Sequence, residues 1–221
     1  MDRQQLDITQ YSFEQFIDFL FSREITNPDF DPNKPEVWYW HTEVTFDPIK
    51  VSEFYLLLFR NPEFLSERFS KLQMDAALWS IQVDNLDCSV HGIIFNTDLP
   101  QVTRIRCIES MFDLFQKLFI NEPLDTAVFM WWDSLCYDWH SGNRNRDLGG
   151  DDLKLQDVFF VTLSRVLFID SETCQKSALH GLGHLHHPDT KQLVDRYLQE
   201  NPGLSEDLRT YAVAAAQFEI Q

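Results

Sequence analysis

Apolar residues along most of this chain recur every three or four positions, the spacing of one face of an α-helix. Glycine is scarce at seven residues, and the Asn-Gly and Asp-Gly pairs typical of β-hairpins are missing from the sequence. The pattern therefore predicts an all-α protein.

Capping residues and prolines mark where the predicted helices begin. Ser12 and Gln15 form a capping-box pattern, and Asp47-Pro48 and Asn61-Pro62 each place a capping residue before a proline that suits the first helical turn. Residues 27–40 carry three prolines, which predicts a long, ordered loop. The predicted helices are one opened by Ser12, those over 48–60, 62–71 and 100–120, one containing Met130 to Asp133, and those over 153–169, 172–186, 188–200 and 205–219.

The most polar and glycine-rich stretch covers residues 140–150 and predicts a mobile loop or a subdomain junction. Before it, residues 1–150 are expected to be a helical region, either of degenerate repeats or a separate helical domain. After it, residues 151–221 show a regular succession of helices and short turns, which implies antiparallel neighbours. We expect both parts to form one continuous folded unit.

Residues 177–185, Ser-Ala-Leu-His-Gly-Leu-Gly-His-Leu, are followed by a His-Pro-Asp turn and an apolar helix. An offset of 34 residues aligns Ala212 with Ala178 and Ala215 with Gly181, small residues that let paired helices approach closely. The pattern resembles the HEAT-like repeat of phycobilisome-lyase-type proteins. This resemblance implies an α-solenoid-like array of antiparallel helix pairs in at least the C-terminal third, and a scaffold that binds proteins.

Charge narrows the class of partner. Thirty-five acidic residues against 18 basic ones give a net charge of −17, with an acidic excess on both sides of residue 150. Such a surface repels phosphate backbones and anionic lipid, so it disfavours nucleic acid and membranes and favours a basic protein. It also argues against HEAT-type DNA glycosylases, which need a basic concave surface.

Targeting and cysteine signals predict a cytoplasmic protein. The first residues lack the basic start and apolar run of a secretory signal, and no apolar stretch in the sequence approaches the roughly 20 residues that span a bilayer. The four widely spaced cysteines are expected to be buried, reduced thiols. They are Cys88, Cys107, Cys136 and Cys174.

A histidine cluster is the sharpest chemical feature. On a helical projection, His180, His184 and His187 lie opposite the apolar face, so we expect them to be exposed and to line the concave groove of the array. In one alternative interpretation the three histidines are solvated and have no role. In another they form a metal site, in which His180 and His184 share a zinc ion and His187 adds a third ligand. The metalloprotease motif HExxH is incomplete, because position 181 is glycine.

Trp131, Trp132 and Asp133, with Asp138 and His140 nearby, suggest a carboxylate–histidine site beside an aromatic platform. The competing interpretation is that the tryptophans anchor the core and Asp133 is solvated, since no nucleophile or phosphate loop accompanies them.

These features predict a non-enzymatic scaffold whose acidic groove binds a basic protein, for example as an immunity or antitoxin-like protein. The final helix is apolar on nearly all sides, so it either packs under the N-terminal half or forms a homo-oligomer contact. No catalytic residue, metal or cofactor is predicted.

The alternative function is an enzyme that uses a metal or histidine site on the His180, His184 and His187 face. The expected partner-binding residues are His180, His184, His187, Trp131, Trp132 and Asp133.

Overall fold

The computed structural model describes residues 3–23 and 38–220, and helices dominate these ranges. The predicted loop over residues 27–40 lies mostly outside them, and its described end forms a 3-10 turn, Trp38–His41. The helices are α1 (Phe13–Phe21), α2 (Pro48–Arg60), α3 (Phe64–Arg68), α4 (Lys71–Gln82), α5 (Val90–Ile94), α6 (Gln101–Leu114), α7 (Asp125–Phe129), α8 (Asp133–His140), α9 (Gly150–Leu167), α10 (Glu172–Leu185), α11 (Thr190–Glu200) and α12 (Glu206–Ala216). A π-helical turn, Phe115–Phe119, continues α6, and a 3-10 turn, Arg146–Leu148, precedes α9.

Most predicted helices are confirmed, and the capping signals explain where they begin. The capping box at Ser12 opens α1, and Asp47 caps α2, which covers the predicted residues 48–60. The predicted helix over 62–71 is shorter, because only Phe64–Arg68 is helical. The helix predicted through Met130 to Asp133 is wrong, since residues 130–132 form the turn between α7 and α8.

A small parallel sheet modifies the all-α prediction. Strand β1 (Gln4–Asp7) pairs with β2 (Thr42–Thr45), with Leu6 opposite Val44. At four residues each, the strands are too short for their alternation to be recognised in a sequence. The backbone N–H of Val44 donates to the Asp87 carboxylate at 2.7 Å, which satisfies a group outside the ladder.

The core is rich in aromatic side chains. Trp131 and Trp132 are fully buried, and Phe115, the first residue of the π-helical turn, stacks on Trp132 with 5.4 Å between ring centroids. These tryptophans are core anchors, so the prediction that they contact a partner is wrong for this conformation. All four cysteines are buried and free, as predicted.

Helix α10 occupies a central position. It packs against α9 on one side, α12 on another, and α7 and α8 on the side where the sequence predicted an open groove. Helix α11 packs against α12 and α9. A small residue on α10 allows the segment that follows α12 to approach closely, because a Cβ atom on Gly183 would overlap the Ile220 side chain.

The glycine-rich stretch over residues 140–150 is tied to the helices around it. The Arg144 guanidinium donates to the carboxylates of Asp138 and Asp152, and Arg146 pairs with Asp157. The final helix α12 buries part of its apolar surface on α10 and α11, while Val213 stays 42% exposed. Within the described residues, no helix has both the length and the apolar composition needed to cross a membrane.

Candidate metal centre

Close packing between α8 and α10 assembles the candidate site. Gly181 faces Trp132 so closely that a Cβ atom on Gly181 would lie 2.6 Å from the Trp132 Cβ. This approach places Asp133, the first residue of α8, beside α10. His180 and His184 are four residues apart, so both project from one side of α10 towards that carboxylate.

The histidines are buried, which corrects the sequence prediction. His180, His184 and His187 are exposed by only 1%, 2% and 3%, whereas the sequence predicted an exposed face lining a groove. The physical reason is tertiary packing, which a single-helix projection does not contain: α7 and α8 cover the His180 and His184 side of α10, and Phe160 of α9 covers His187. In this conformation the three imidazoles do not offer a surface to a partner protein.

Asp133, His180 and His184 form a compact group that we call the Asp133 cluster. The Asp133 Oδ1 atom lies 3.4 Å from His180 Nε2 and 3.2 Å from His184 Nε2. One ligand atom from each residue lies within 4.8 Å of the other two. Zinc bonds to imidazole nitrogen and carboxylate oxygen measure about 2.0 to 2.2 Å, so tetrahedral ligand atoms lie roughly 3.4 Å apart. The two distances from Asp133 Oδ1 match that spacing, and the two histidine ligand atoms lie within 4.8 Å of each other.

His184 lacks the hydrogen bonds that a buried imidazole normally makes. Its Nε2 atom is close to Asp133, but the ring nitrogen does not point at the oxygen, so the contact is not a hydrogen bond. Among the described residues, neither His184 ring nitrogen has a hydrogen-bond partner. Leaving a buried polar group unsatisfied costs about 1–3 kcal/mol, so such a group requires an explanation.

The aromatic surroundings of the cluster fix both rings. His184 makes edge contacts with His180 at 4.6 Å and with Tyr137 at 5.4 Å between ring centroids. His180 packs on Phe129 at 4.7 Å, and its Nδ1 lies 2.7 Å from the Tyr211 hydroxyl on α12. Side chains of α7, α8 and α12 therefore hold the Nε2 atoms towards Asp133.

Electrostatics favour the ionised carboxylate. Partial burial raises the pKa of Asp133, but the His180 hydrogen bond and the close approach of both imidazoles outweigh it and hold that pKa well below its usual range. Asp133 is 36% exposed, so the anionic edge of the cluster is reachable from solvent. Burial raises the pKa of Tyr211 to about 12, so its hydroxyl is neutral at physiological pH.

Other histidines lie outside the cluster. His186, in the left-handed region with a φ of 53°, places its Nε2 3.0 Å from Nδ1 of His140. His187 stacks on Phe160 at 4.0 Å and its Nε2 lies 3.1 Å from Asp157. The structure therefore does not bring His187 together with His180 and His184, and the third residue of the cluster is Asp133.

The site imagined around Asp138 is not assembled. Asp138 forms an ion pair with Arg144 and lies 3.7 Å from His91 Nε2, and it is not paired with His140. Sequence reasoning did not predict Tyr211 as part of the site. Its only signal was a polar tip on an otherwise apolar helix, a feature that many buried tyrosines share.

Burial of His187 should make the stability of the fold depend on pH. Burial lowers its pKa below 6.5, and Arg146 lowers it further, while Asp157 and Asp189 raise it without reversing the shift. The unfolded chain therefore takes up a proton that the folded chain resists, so stability is full above pH 6.5 and decreases as the pH falls. Burial also lowers the pKa of His91 and His186, which adds to the same loss.

Thermal unfolding at pH 7.5, 6.5 and 5.5 should show a falling Tm, and His187→Gln should reduce the slope without abolishing it. An identical slope in His187→Gln and wild type would contradict this assignment.

Comparisons with known proteins give no relative. No protein-family model matches the chain, no curated protein matches it, and no solved structure matches it. The function is therefore argued from the Asp133 cluster itself.

Proposed function

We propose that this protein binds one divalent transition-metal ion of the zinc type through Asp133, His180 and His184, and that its function depends on this ion. The observation that carries the proposal is His184, a buried imidazole whose ring nitrogens lack hydrogen-bond partners beside a carboxylate and a second imidazole. A metal ion in the cluster would supply the missing interaction for Nε2.

The donor set indicates the kind of ion. Two imidazole nitrogens and one carboxylate oxygen suit zinc and other late first-row divalent ions, whereas magnesium and calcium prefer oxygen ligands throughout. Three protein ligands leave at least one coordination position for water or substrate, as in catalytic zinc sites. Because Asp133 is partly exposed, we place this open position on its solvent side. The ion would act there as a Lewis acid.

Metal titration tests this proposal. The purified chain is stripped with a chelator, dialysed, and titrated with zinc by calorimetry and by competition with a chromogenic chelator. Wild type should bind one ion per chain, and His184→Ala and Asp133→Ser should each weaken binding by more than about 100-fold, because each removes one of three ligands. Asp133→Ser is included because Asp133 is partly exposed and is the substitution better tolerated by the fold.

His187→Gln is the matched control, since His187 is also buried and also beside a carboxylate but lies outside the cluster. It should bind zinc as wild type does. Absence of zinc binding by folded wild type, or wild-type zinc affinity in both ligand variants, would reject the proposal.

We further propose that α9–α12 form two stacked HEAT-like helix pairs. Supporting this, α9 packs on α10 and α11 packs on α12 within the pairs, while α9 packs on α11 and α10 packs on α12 between them. In this arrangement α7 and α8 fill the inner side, and the metal centre lies where they meet α10.

A second candidate is an acidic protein-binding module. The observation that favours it is a groove of about 790 Å³ along α9 and α11, on a part of α9–α12 that α7 and α8 do not line. With a net charge of −17, a basic protein is the suitable partner, and an immunity or antitoxin-like role is one form of this function. The groove is lined by Phe160, Ser164, Pro188, Asp189, Lys191, Gln192, Leu193, Asp195, Arg196 and Gln199.

To test the protein-binding module, a partner protein is first captured on the tagged chain at low and moderate salt. The affinity of the captured protein for the purified chain is then measured. Asp189→Lys should weaken binding and reduce its salt dependence if the groove is the interface. Unchanged partner binding by Asp189→Lys would show that the groove is not the interface. His184 does not line the groove, so His184→Ala should leave partner binding unchanged while it weakens metal binding, which distinguishes the two candidate functions.

A further inference from the structure

We propose that Tyr211 is the positioning residue of the metal centre, and that its hydroxyl changes from hydrogen-bond donor to acceptor as metal binding switches the tautomer of His180. The inference rests on the proposed function and extends it to a residue on α12. It is carried by the contacts that the two His180 ring nitrogens make.

Without metal, the two partners of His180 select one tautomer. Its Nε2 faces Asp133 Oδ1 at 3.4 Å, and an ionised carboxylate can only accept a hydrogen bond. The ring proton therefore lies on Nε2. The Nδ1 atom then carries a lone pair, so the Tyr211 hydroxyl, 2.7 Å away, must donate to it.

With metal, the arrangement reverses. A ligating Nε2 must be deprotonated, so the neutral ring carries its proton on Nδ1. Nδ1–H then donates to the Tyr211 oxygen, which has lone pairs to accept it. The ring loses one proton from Nε2 and gains one at Nδ1 through exchange with water, so the charge of His180 does not change.

Few side chains could serve both states without moving. A hydroxyl donates in one orientation and accepts in the other, whereas phenylalanine at position 211 would leave a buried Nδ1 unsatisfied in either tautomer. The position of the hydroxyl is fixed by its surroundings. Phe129 contacts both rings, at 4.7 Å from His180 and 6.3 Å from Tyr211, and the Lys176 ammonium lies 5.5 Å from the centroids of Phe129 and Tyr211.

The experiment measures the His180 tautomer and zinc affinity in the full chain. In ¹⁵N-histidine NMR, wild-type His180 should be protonated at Nε2 without metal and at Nδ1 with zinc. Tyr211→Phe should bind zinc about 10- to 100-fold more weakly, the usual cost of losing a hydrogen bond behind a metal ligand.

Tyr197→Phe is the matched control. Tyr197 also has a hydroxyl bonded to a neighbouring helix, 2.9 Å from Gln175, but it does not contact the Asp133 cluster among the described residues. Its loss should leave zinc affinity and the His180 tautomer unchanged.

The possible failures are distinguishable. If wild type binds no zinc, the proposed function fails first. If wild type binds zinc but Tyr211→Phe binds within threefold of it, or if zinc-loaded His180 keeps its proton on Nε2, the role of Tyr211 is overturned while the metal centre stands. The tautomer measurement needs no substitution, so it decides the question even if Tyr211→Phe does not fold.

Discussion

Replacing Trp131 with alanine is expected to lower the free energy of unfolding by about 4 kcal/mol, because truncating a fully buried tryptophan removes its apolar contacts and leaves a cavity. The indole makes edge contacts with Phe59 at 5.5 Å and Phe119 at 5.6 Å, and its Nε1 lies 3.4 Å from the Met111 sulfur. Trp131 thus joins α2, α6, the π-helical turn and the turn before α8. Urea unfolding monitored by circular dichroism gives the measurement.

Leu148→Ala is the control for this substitution, since Leu148 is 80% exposed. It should change the free energy of unfolding by less than about 0.5 kcal/mol. A Trp131→Ala protein that loses under 1 kcal/mol would mean that Trp131 is not the packing centre described above.

The second large effect is expected at Gly181, where alanine should destabilise the fold by about 3 kcal/mol. The added Cβ would lie 2.6 Å from the Trp132 Cβ and 2.9 Å from Leu163 Cδ2, and the Trp132 Cβ is fixed to the backbone, so it cannot move aside cheaply. Alanine favours a helix interior over glycine by about 1 kcal/mol, which offsets only part of this cost. The same clash should move Asp133 away from α10 and weaken zinc binding.

Gly203→Ala tests whether the effect comes from the clash or from losing a glycine. A Cβ atom on Gly203 would meet nothing within 4 Å, so this variant should be neutral or slightly stabilised. Thermal and urea unfolding of both variants give the change in the free energy of unfolding that distinguishes the two explanations. Equal stability in Gly181→Ala and wild type would show that α8 and α10 can separate at no cost.

The helices were predictable wherever a local signal marked their beginning. Asp47-Pro48 specified α2, and Ser171, followed by an apolar face, specified α10. Helix α4 carries an equally local signal, a capping box from Ser70 to Gln73, but the predicted helix over 62–71 ran across it. Its apolar periodicity is also weak, because Ser80 and Gln82 are buried along with its apolar residues.

The site was only partly predictable, because its parts come from distant positions. The spacing of His180 and His184 is local and pointed to a shared ligand. Asp133 is 47 residues from His180, and no spacing rule connects them. The burial of the histidines depends on α7 and α8 covering α10, which a helical projection cannot show. Gly181 was recognised as a position where paired helices approach closely, and it does face Leu163 of α9, but its nearer contact with Trp132 was not predicted.

The separation of Asp133 and His180 along the chain has a thermodynamic consequence. An ion bound to both closes a loop of about 50 residues, so it acts as a reversible crosslink that disfavours the unfolded chain. The stability of the fold would then depend on the metal supply. Free ion at 100 times its dissociation constant would raise the free energy of unfolding by about 2.7 kcal/mol. If the chain is turned over mainly from its unfolded state, its abundance in the cell would follow the concentration of available metal.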